Sequence, residues 1–128
     1  ILKTEKIEEL KEQIEILISA ISYMYLKEEY NYVIAVYSML YTTGLDVVIE
    51  DNTSKGRIDM SVLMNEKVVY IVEFKVLENE REKGKALKQI KEKEYHKKYL
   101  NYQKIYLVGI EFDKVKKDVV DFEYEKIK

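Results

Sequence analysis

The amino-acid sequence predicts an α/β domain, a mixed central sheet flanked by helices, with an extra helix at its N-terminal end. Three observations support this. Apolar residues recur at helical spacing in two early segments, and the period then shortens to that of strands through three consecutive segments. Two runs, Val68-Val69-Tyr70-Ile71-Val72 and Ile105-Tyr106-Leu107-Val108-Gly109-Ile110, are apolar on both faces and are separated by a segment of helical character. Such runs belong in the middle of a sheet with cover on each side. A strand-helix-strand unit of this length closes as a right-handed parallel crossover.

In chain order, Ile7, Leu10, Ile14, Leu17, Ile18 and Ile21 mark an amphipathic helix over residues 4–20. A second helix, over 27–43, is apolar around most of its circumference and stops at Gly44, so it should be largely buried. Strands at 45–50, 57–64 and 67–76 follow, joined by a turn at 51–56 and a tighter one at Asn65-Glu66, and make an antiparallel meander. A charged loop at 78–83 leads to a helix over 84–100 and a strand at 105–110. Val120, Phe122 and Tyr124 then alternate with Asp121 and Glu123, as a half-solvated edge strand should. Residues 1–25 read as a helix that packs on a preceding domain or on a second copy of the chain, and 26–128 as the domain itself.

Composition narrows the chemistry. The 128 residues are 47% apolar, enough for one core and too few for two large domains. With no Cys and one histidine, His96, there is no disulfide framework, thiolate zinc site, cysteine nucleophile or paired-histidine site. Carboxylate, lysine, tyrosine and amide remain. No apolar run approaches the ~20 residues that span a bilayer. The start, Ile1-Leu2-Lys3-Thr4, has neither an initiator Met nor a signal-peptide pattern, and the expectation is a soluble, cytoplasmic piece of a longer chain. Charge is uneven: residues 1–64 carry 6 Lys/Arg against 11 Asp/Glu, residues 65–128 carry 16 against 13, and the stretch 75–104 has ten against five. A local basic face on an acidic protein points to a phosphate-bearing partner, although a solvated helix with Glu/Lys pairs gives the same count.

The informative residues are polar ones where periodicity demands apolar ones. Glu73 and Lys75 continue the face of Val69 and Ile71, whereas Val72, Phe74 and Val76 line the other side. A carboxylate at the end of a buried strand is costly unless paired or metal-bound. One strand earlier, Asp59 interrupts the apolar set Ile58, Met60, Val62 and stands across the meander from Glu73. Two carboxylates and a lysine at one sheet position suit a hard cation such as Mg²⁺ or Mn²⁺ with an amine beside its water; a salt bridge at a strand end is the other reading. Glu29 shares a helical-wheel angle with Val33, Val36 and Leu40 and therefore points inward with them, while Glu28 does not.

Glu29, Gly56-Arg57-Ile58-Asp59, Glu73-Phe74-Lys75 and Gln89 together resemble the successive motifs of the PD-(D/E)XK nuclease superfamily. More narrowly, residues 54–59, 70–75, 86–91 and 107–113 resemble a PD-(D/E)XK domain found C-terminal to an AAA-type ATPase-like domain in bacterial proteins. The resemblance covers 26–128 and agrees with the independent element order, since that superfamily has a restriction-endonuclease-like core of helix, three antiparallel strands, helix and further strand. It implies Mg²⁺- or Mn²⁺-dependent phosphodiester hydrolysis of nucleic acid, DNA before RNA. By carry-over, Asp59 and Glu73 hold the metal with the Phe74 carbonyl, Lys75 activates the attacking water, Glu29 supports the metal shell, and Gln89 positions the nucleophile or the scissile phosphate. Lys88, Lys91 and Lys93 are the expected nucleic-acid contacts. An upstream ATPase-like domain is an expected partner, and a homo-oligomer through the N-terminal helix is another. The rival readings are a non-catalytic nucleic-acid-binding module and a protein-interaction module of the same fold.

The pattern departs from the superfamily's common Q-x-x-x-Y form: Lys93 lies four residues after Gln89 and Tyr95 six. On a regular helix Tyr95 would point away from Gln89, which assigns it to packing. Glu50 reads as a solvated strand end and His96 as a surface residue. No Gly-rich phosphate loop is present, so ATP binding by this stretch is not expected.

Overall fold

The computed structural model describes residues 7–128. Three α-helices, α1 (Ile7–Ala20), α2 (Glu29–Tyr41) and α3 (Lys85–Glu92), surround a sheet of β1 (Asp46–Thr53), β2 (Gly56–Met64), β3 (Val68–Leu77), β4 (Lys104–Asp113) and β5 (Val119–Lys126). The strands lie side by side in chain order. Only β3 and β4 are parallel; the other three neighbouring pairs are antiparallel. The two strands expected to be doubly buried are therefore the inner parallel pair, joined through α3. Tyr70, Val72 and Phe74 of β3 face α1 and α2, while Val69 and Ile71 face Ile90 of α3, so alternate residues of one strand serve two cores.

Four elements differ from expectation, each for a packing reason. Residues 4–6 of the first predicted helix lie outside the described residues; from Ile7 on, the stripe Ile7, Leu10, Ile14 and Ile18 is buried in this chain's own core. The apolar face expected to meet a preceding domain or a second copy is thus covered by the chain itself. α2 is two-faced rather than buried all round: Tyr32, Val33, Val36 and Leu40 are inside, but Tyr30, Ile34 and Tyr41 are exposed. β1 runs through the expected turn to Thr53, pairing with Gly56 across Ser54-Lys55. Finally, the helix expected over 84–100 stops at Glu92, Glu94 takes a left-handed backbone (φ 53°), and a 3-10 turn spans Tyr95–Tyr99. On a straight helix Tyr99 would lie opposite the buried Ile90. The break lets Ile90, Tyr95, Tyr99 and Tyr102 all enter one core.

Candidate active site

The site begins where a ladder ends. β2 and β3 pair from Met64↔Val68 up to Met60↔Val72 and then part. The backbone groups beyond need partners, and two side chains provide them. Glu73 Oε1 accepts the Asp59 N–H at 3.1 Å, and Asp59 Oδ2 accepts the Phe74 N–H at 2.9 Å. The reciprocal bonds clamp two carboxylates together at a fork in the sheet, with Glu73 only 1% exposed.

α3 delivers the third member. Glu73 is in register with Gly109 of β4, and a Cβ on Gly109 would come within 2.6 Å of the Leu87 backbone nitrogen. Only glycine lets the helix lie this close to the strand. The helix is also anchored at its start, because the buried Glu111 accepts the Gly84 N–H at 2.8 Å and the Ala86 N–H at 2.9 Å. Gln89 is thereby brought over Glu73, and its Nε2 donates to Glu73 Oε2 at 3.2 Å.

Electrostatics follow from this geometry. Burial, then the Asp59 charge and a hydrogen bond shared with the Asp59 carboxyl, push Glu73 up to about 9; the Asp59 N–H and Lys75 pull the other way. Glu29 is raised by its partial burial and by Asp59, again against Lys75. Glu29 thus neighbours Asp59. It does not complete a triad, for among the described residues no three His, Cys, Asp or Glu side chains gather closely enough to hold a metal. Of the three carboxylates expected to converge, Asp59 and Glu73 form the close pair, and Glu29 on α2 shares a cleft with Asp59.

The donor set fits a hard divalent cation. Two facing carboxylates present oxygen ligands and a charge to neutralise, and Mg²⁺ is commonly held by one or two carboxylates with water and phosphate oxygens completing its shell. Lys75, half-buried, acts on both Glu29 and Glu73. The buried Phe74 ring packs near Phe112 while its N–H is tied to Asp59.

Tyr95 was assigned to packing, and the helix break changes that. Its ring is in the core, yet its hydroxyl lies against Gly56, where a Cβ would come within 3.1 Å. Burial raises its pKa, Gln89 opposes by hydrogen bonding, and the Glu73 and Asp59 charges raise it further. Tyr95 therefore belongs to the site. Glu50, facing Asp59 between the pairs Ile49↔Met60 and Asp51↔Ile58, is exposed with φ 53°, and its carboxylate lies 3.9 Å from Arg57.

The three lysines are exposed on or just beyond α3. Lys88 lies 3.7 Å from Glu92, and Lys91 lies 3.0 Å from Glu125 on β5. Lys93 caps the helix. Lys91 borders a cleft with His96 and Ile127 that shares no lining residue with the cleft at Asp59. His96 is not fully on the surface, since it is half-buried with its Nδ1 shielded and without a partner.

Sequence reasoning missed Glu111 and Asp51. Glu111 carried a signal, a charged residue between Ile110 and Phe112 in a doubly apolar strand, but the strand was ended one residue early. Asp51 was hidden in a turn-like Asp-Asn-Thr-Ser-Lys-Gly run. It is buried and accepts hydrogen bonds from Ser61 Oγ at 2.8 Å, from Lys98 Nζ and from the Tyr99 hydroxyl.

A mixed sheet with a parallel crossover through α3 and two carboxylates clamped at its fork make up an α/β core of restriction-endonuclease type. The family model of the PD-(D/E)XK nuclease superfamily matches residues 27–122, and the chain belongs to that superfamily. It is also 47% identical over 92 residues to an "uncharacterized protein in vnfD 5'region" of Azotobacter chroococcum mcd 1. The match covers 71% of this chain and 17% of that protein. No solved structure matches.

Proposed function

We propose that the chain hydrolyses phosphodiester bonds of nucleic acid, DNA in preference to RNA, with Mg²⁺ or Mn²⁺. The observation that carries this is the fork itself: Asp59 and Glu73 clamped together by each other's backbone, with Gln89 bound to the second. Asp59, Glu73 and the Phe74 carbonyl would hold the cation, with Glu29 acting on it from α2. A bound divalent cation supplies charge for the phosphate and lowers the pKa of a coordinated water. Lys75, close enough to act on both Glu29 and Glu73, would orient the attacking water and stabilise its deprotonated form. Gln89, held on Glu73, uses its remaining hydrogen-bonding capacity on the nucleophile or a phosphate oxygen. Lys88, Lys91 and Lys93 are offered as backbone contacts, with Lys91 first having to leave Glu125.

An upstream ATPase-like domain and a cytoplasmic setting are part of the same reading; among the described residues no helix is long and apolar enough to cross a membrane. The test is cleavage of single-stranded DNA, duplex DNA and RNA in Mg²⁺, Mn²⁺ or EDTA. Metal-dependent cutting that Asp59→Ala and Lys75→Ala each reduce by at least about 100-fold, with binding retained at low salt, is expected. A Lys75→Ala chain that cuts at the parent rate would sink the assignment, and metal-independent binding without cutting would leave a non-catalytic module.

A further inference from the structure

The cleft that ends at Asp59 has an apolar wall that hydrolysis alone does not require. α2 contributes Tyr30, Val33 and Ile34, β1 contributes Ile49, and Arg57 of β2 stands at the same cleft. Tyr30 is 65% exposed and Ile34 46% exposed, on a helix that buries Tyr32, Val33, Val36 and Leu40. The cleft encloses about 270 Å³. That is just below the usual range for a small-ligand pocket, so an occupant places one small planar group there rather than a large body.

We propose that Tyr30, backed by Ile34, stacks on the base of an unpaired nucleotide next to the scissile phosphate, so that the site selects single-stranded nucleic acid or unpaired ends. This rests on the hydrolytic reading above. In a duplex both faces of every base are covered by its neighbours, and what a protein meets is phosphate and base edges. A phenol ring beside an isoleucine offers a π-face and methyl groups, which suit an uncovered base face of any sequence. The opposite requirement is met at the same cleft: Arg57, exposed and only 3.9 Å from Glu50 at the limit of an ion pair, is free to take the neighbouring phosphate. Tyr30 and Glu29 are adjacent in sequence, so an occupant of the apolar wall is directly beside the carboxylates. Stacking of this kind is tolerant of base identity, and the selectivity is for strandedness rather than for sequence.

The experiment measures binding of a labelled 15-nucleotide single strand and of its duplex at low salt in EDTA, for the parent, Tyr30→Ala and Tyr30→Phe. Tyr30→Ala should weaken single-strand binding by roughly 5- to 150-fold, the span expected for one stacked base, with Tyr30→Phe close to the parent and duplex binding unchanged. Equal weakening of both substrates, no weakening of either, or a Tyr30→Phe defect as large as that of Tyr30→Ala overturns it. So does a parent that sediments as a dimer while Tyr30→Ala is monomeric, because the wall is then an interface between copies. Melting temperatures should match, since Tyr30 is outside the core. Cleavage in Mn²⁺ by the parent reports on the other reading separately. Tyr30-dependent binding without cutting keeps the base site and removes hydrolysis; cutting with binding indifferent to Tyr30 does the reverse.

Discussion

Asp51 and Glu73 are both buried carboxylates in the same sheet, 5% and 1% exposed, yet their surroundings act in opposite directions. Burial by itself raises Asp51, but hydrogen bonds from Lys98, Tyr99 and Ser61 overcome it and leave the group below its ordinary value. Glu73 also accepts from the Asp59 N–H and from Gln89, but burial and the facing Asp59 charge outweigh these and it is pushed up. Glu111 resembles Asp51, with both oxygens spent on the N–H groups that start α3. Carboxylates that hold the fold together are thus satisfied by neutral or cationic donors, whereas those at the fork are held against each other by the fold. By charge alone the second arrangement opposes stability, and under the proposed function a bound cation would relieve it.

Substitution should separate the two. Asp59→Asn keeps the shape and removes one of two facing charges, so in EDTA the variant should be at least as stable as the parent. Mg²⁺ or Mn²⁺ at about a hundred times its dissociation constant should stabilise the parent by roughly 2.7 kcal/mol and the variant far less. Asp51→Asn removes the carboxylate that pairs with Lys98 and should cost on the order of 1 to 3 kcal/mol, with the metal increment intact. Thermal melts in EDTA and in Mn²⁺ give all of these. A destabilised Asp59→Asn with no metal effect on the parent would make the fork another structural pair.

The pH dependence should also run in opposite directions. Asp51 is depressed below 3.8, so its contribution is complete above that value and is lost as pH falls through the folded-state pKa. The gap between parent and Asp51→Asn should therefore close in acid. Glu73 is raised from 4.5 to about 9, so the metal-free parent is relatively most stable below the lower value and loses that advantage as pH rises towards the upper. The gap between parent and Asp59→Asn should open as pH rises from 5 to 8, on the order of the Glu73 window. Urea midpoints across that range in EDTA measure both, and parallel curves for the two variants would show that the carboxylates are equivalent.

The sheet order and the fork were legible because they rest on local signals: period-2 alternation, two doubly apolar strands, and charges at positions where burial is otherwise continuous. Asp59 and Glu73 needed nothing further, whereas Gln89 came only with the resemblance to the superfamily's motifs. The rest depended on tertiary contacts. Glu29 shares the angle of the α2 core but stands outside the close pair of Asp59 and Glu73, since a helical wheel gives direction and not distance. Tyr30, at helical spacing with Tyr37 and Tyr41, reads from the sequence as core or rim rather than as a base-stacking ring, and only the fold shows that its face is uncovered. Asp51 looked like a turn residue because its partners, Lys98 and Tyr99, are nearly fifty positions away in sequence.

Tyr95 is the clearest case of a tertiary override, and it supplies the smallest of the expected effects. Six residues after Gln89, it faces away on any continuous helix; the left-handed Glu94 breaks that continuity and returns its hydroxyl to Gln89 while its ring packs with Ile58 and Ile90. Ring and hydroxyl therefore do separate things. Tyr95→Phe keeps the ring, so stability should change by less than about 1 kcal/mol. Loss of the hydroxyl frees the Gln89 amide to turn away from Glu73, and cleavage should fall by roughly tenfold, the lower end for a group that orients a reacting shell rather than touching it. A purely structural tyrosine would show the reverse pattern, a lower melting temperature with an unchanged rate per folded molecule. Gly56→Ala adds an independent push on the same hydroxyl, since the new methyl would approach it to 3.1 Å at a backbone angle of +143° that alanine resists. If Tyr95 positions Gln89, Gly56→Ala should lower the rate in the parent and have little further effect in Tyr95→Phe; equal rate losses in both backgrounds would mean that the glycine acts on the hairpin alone.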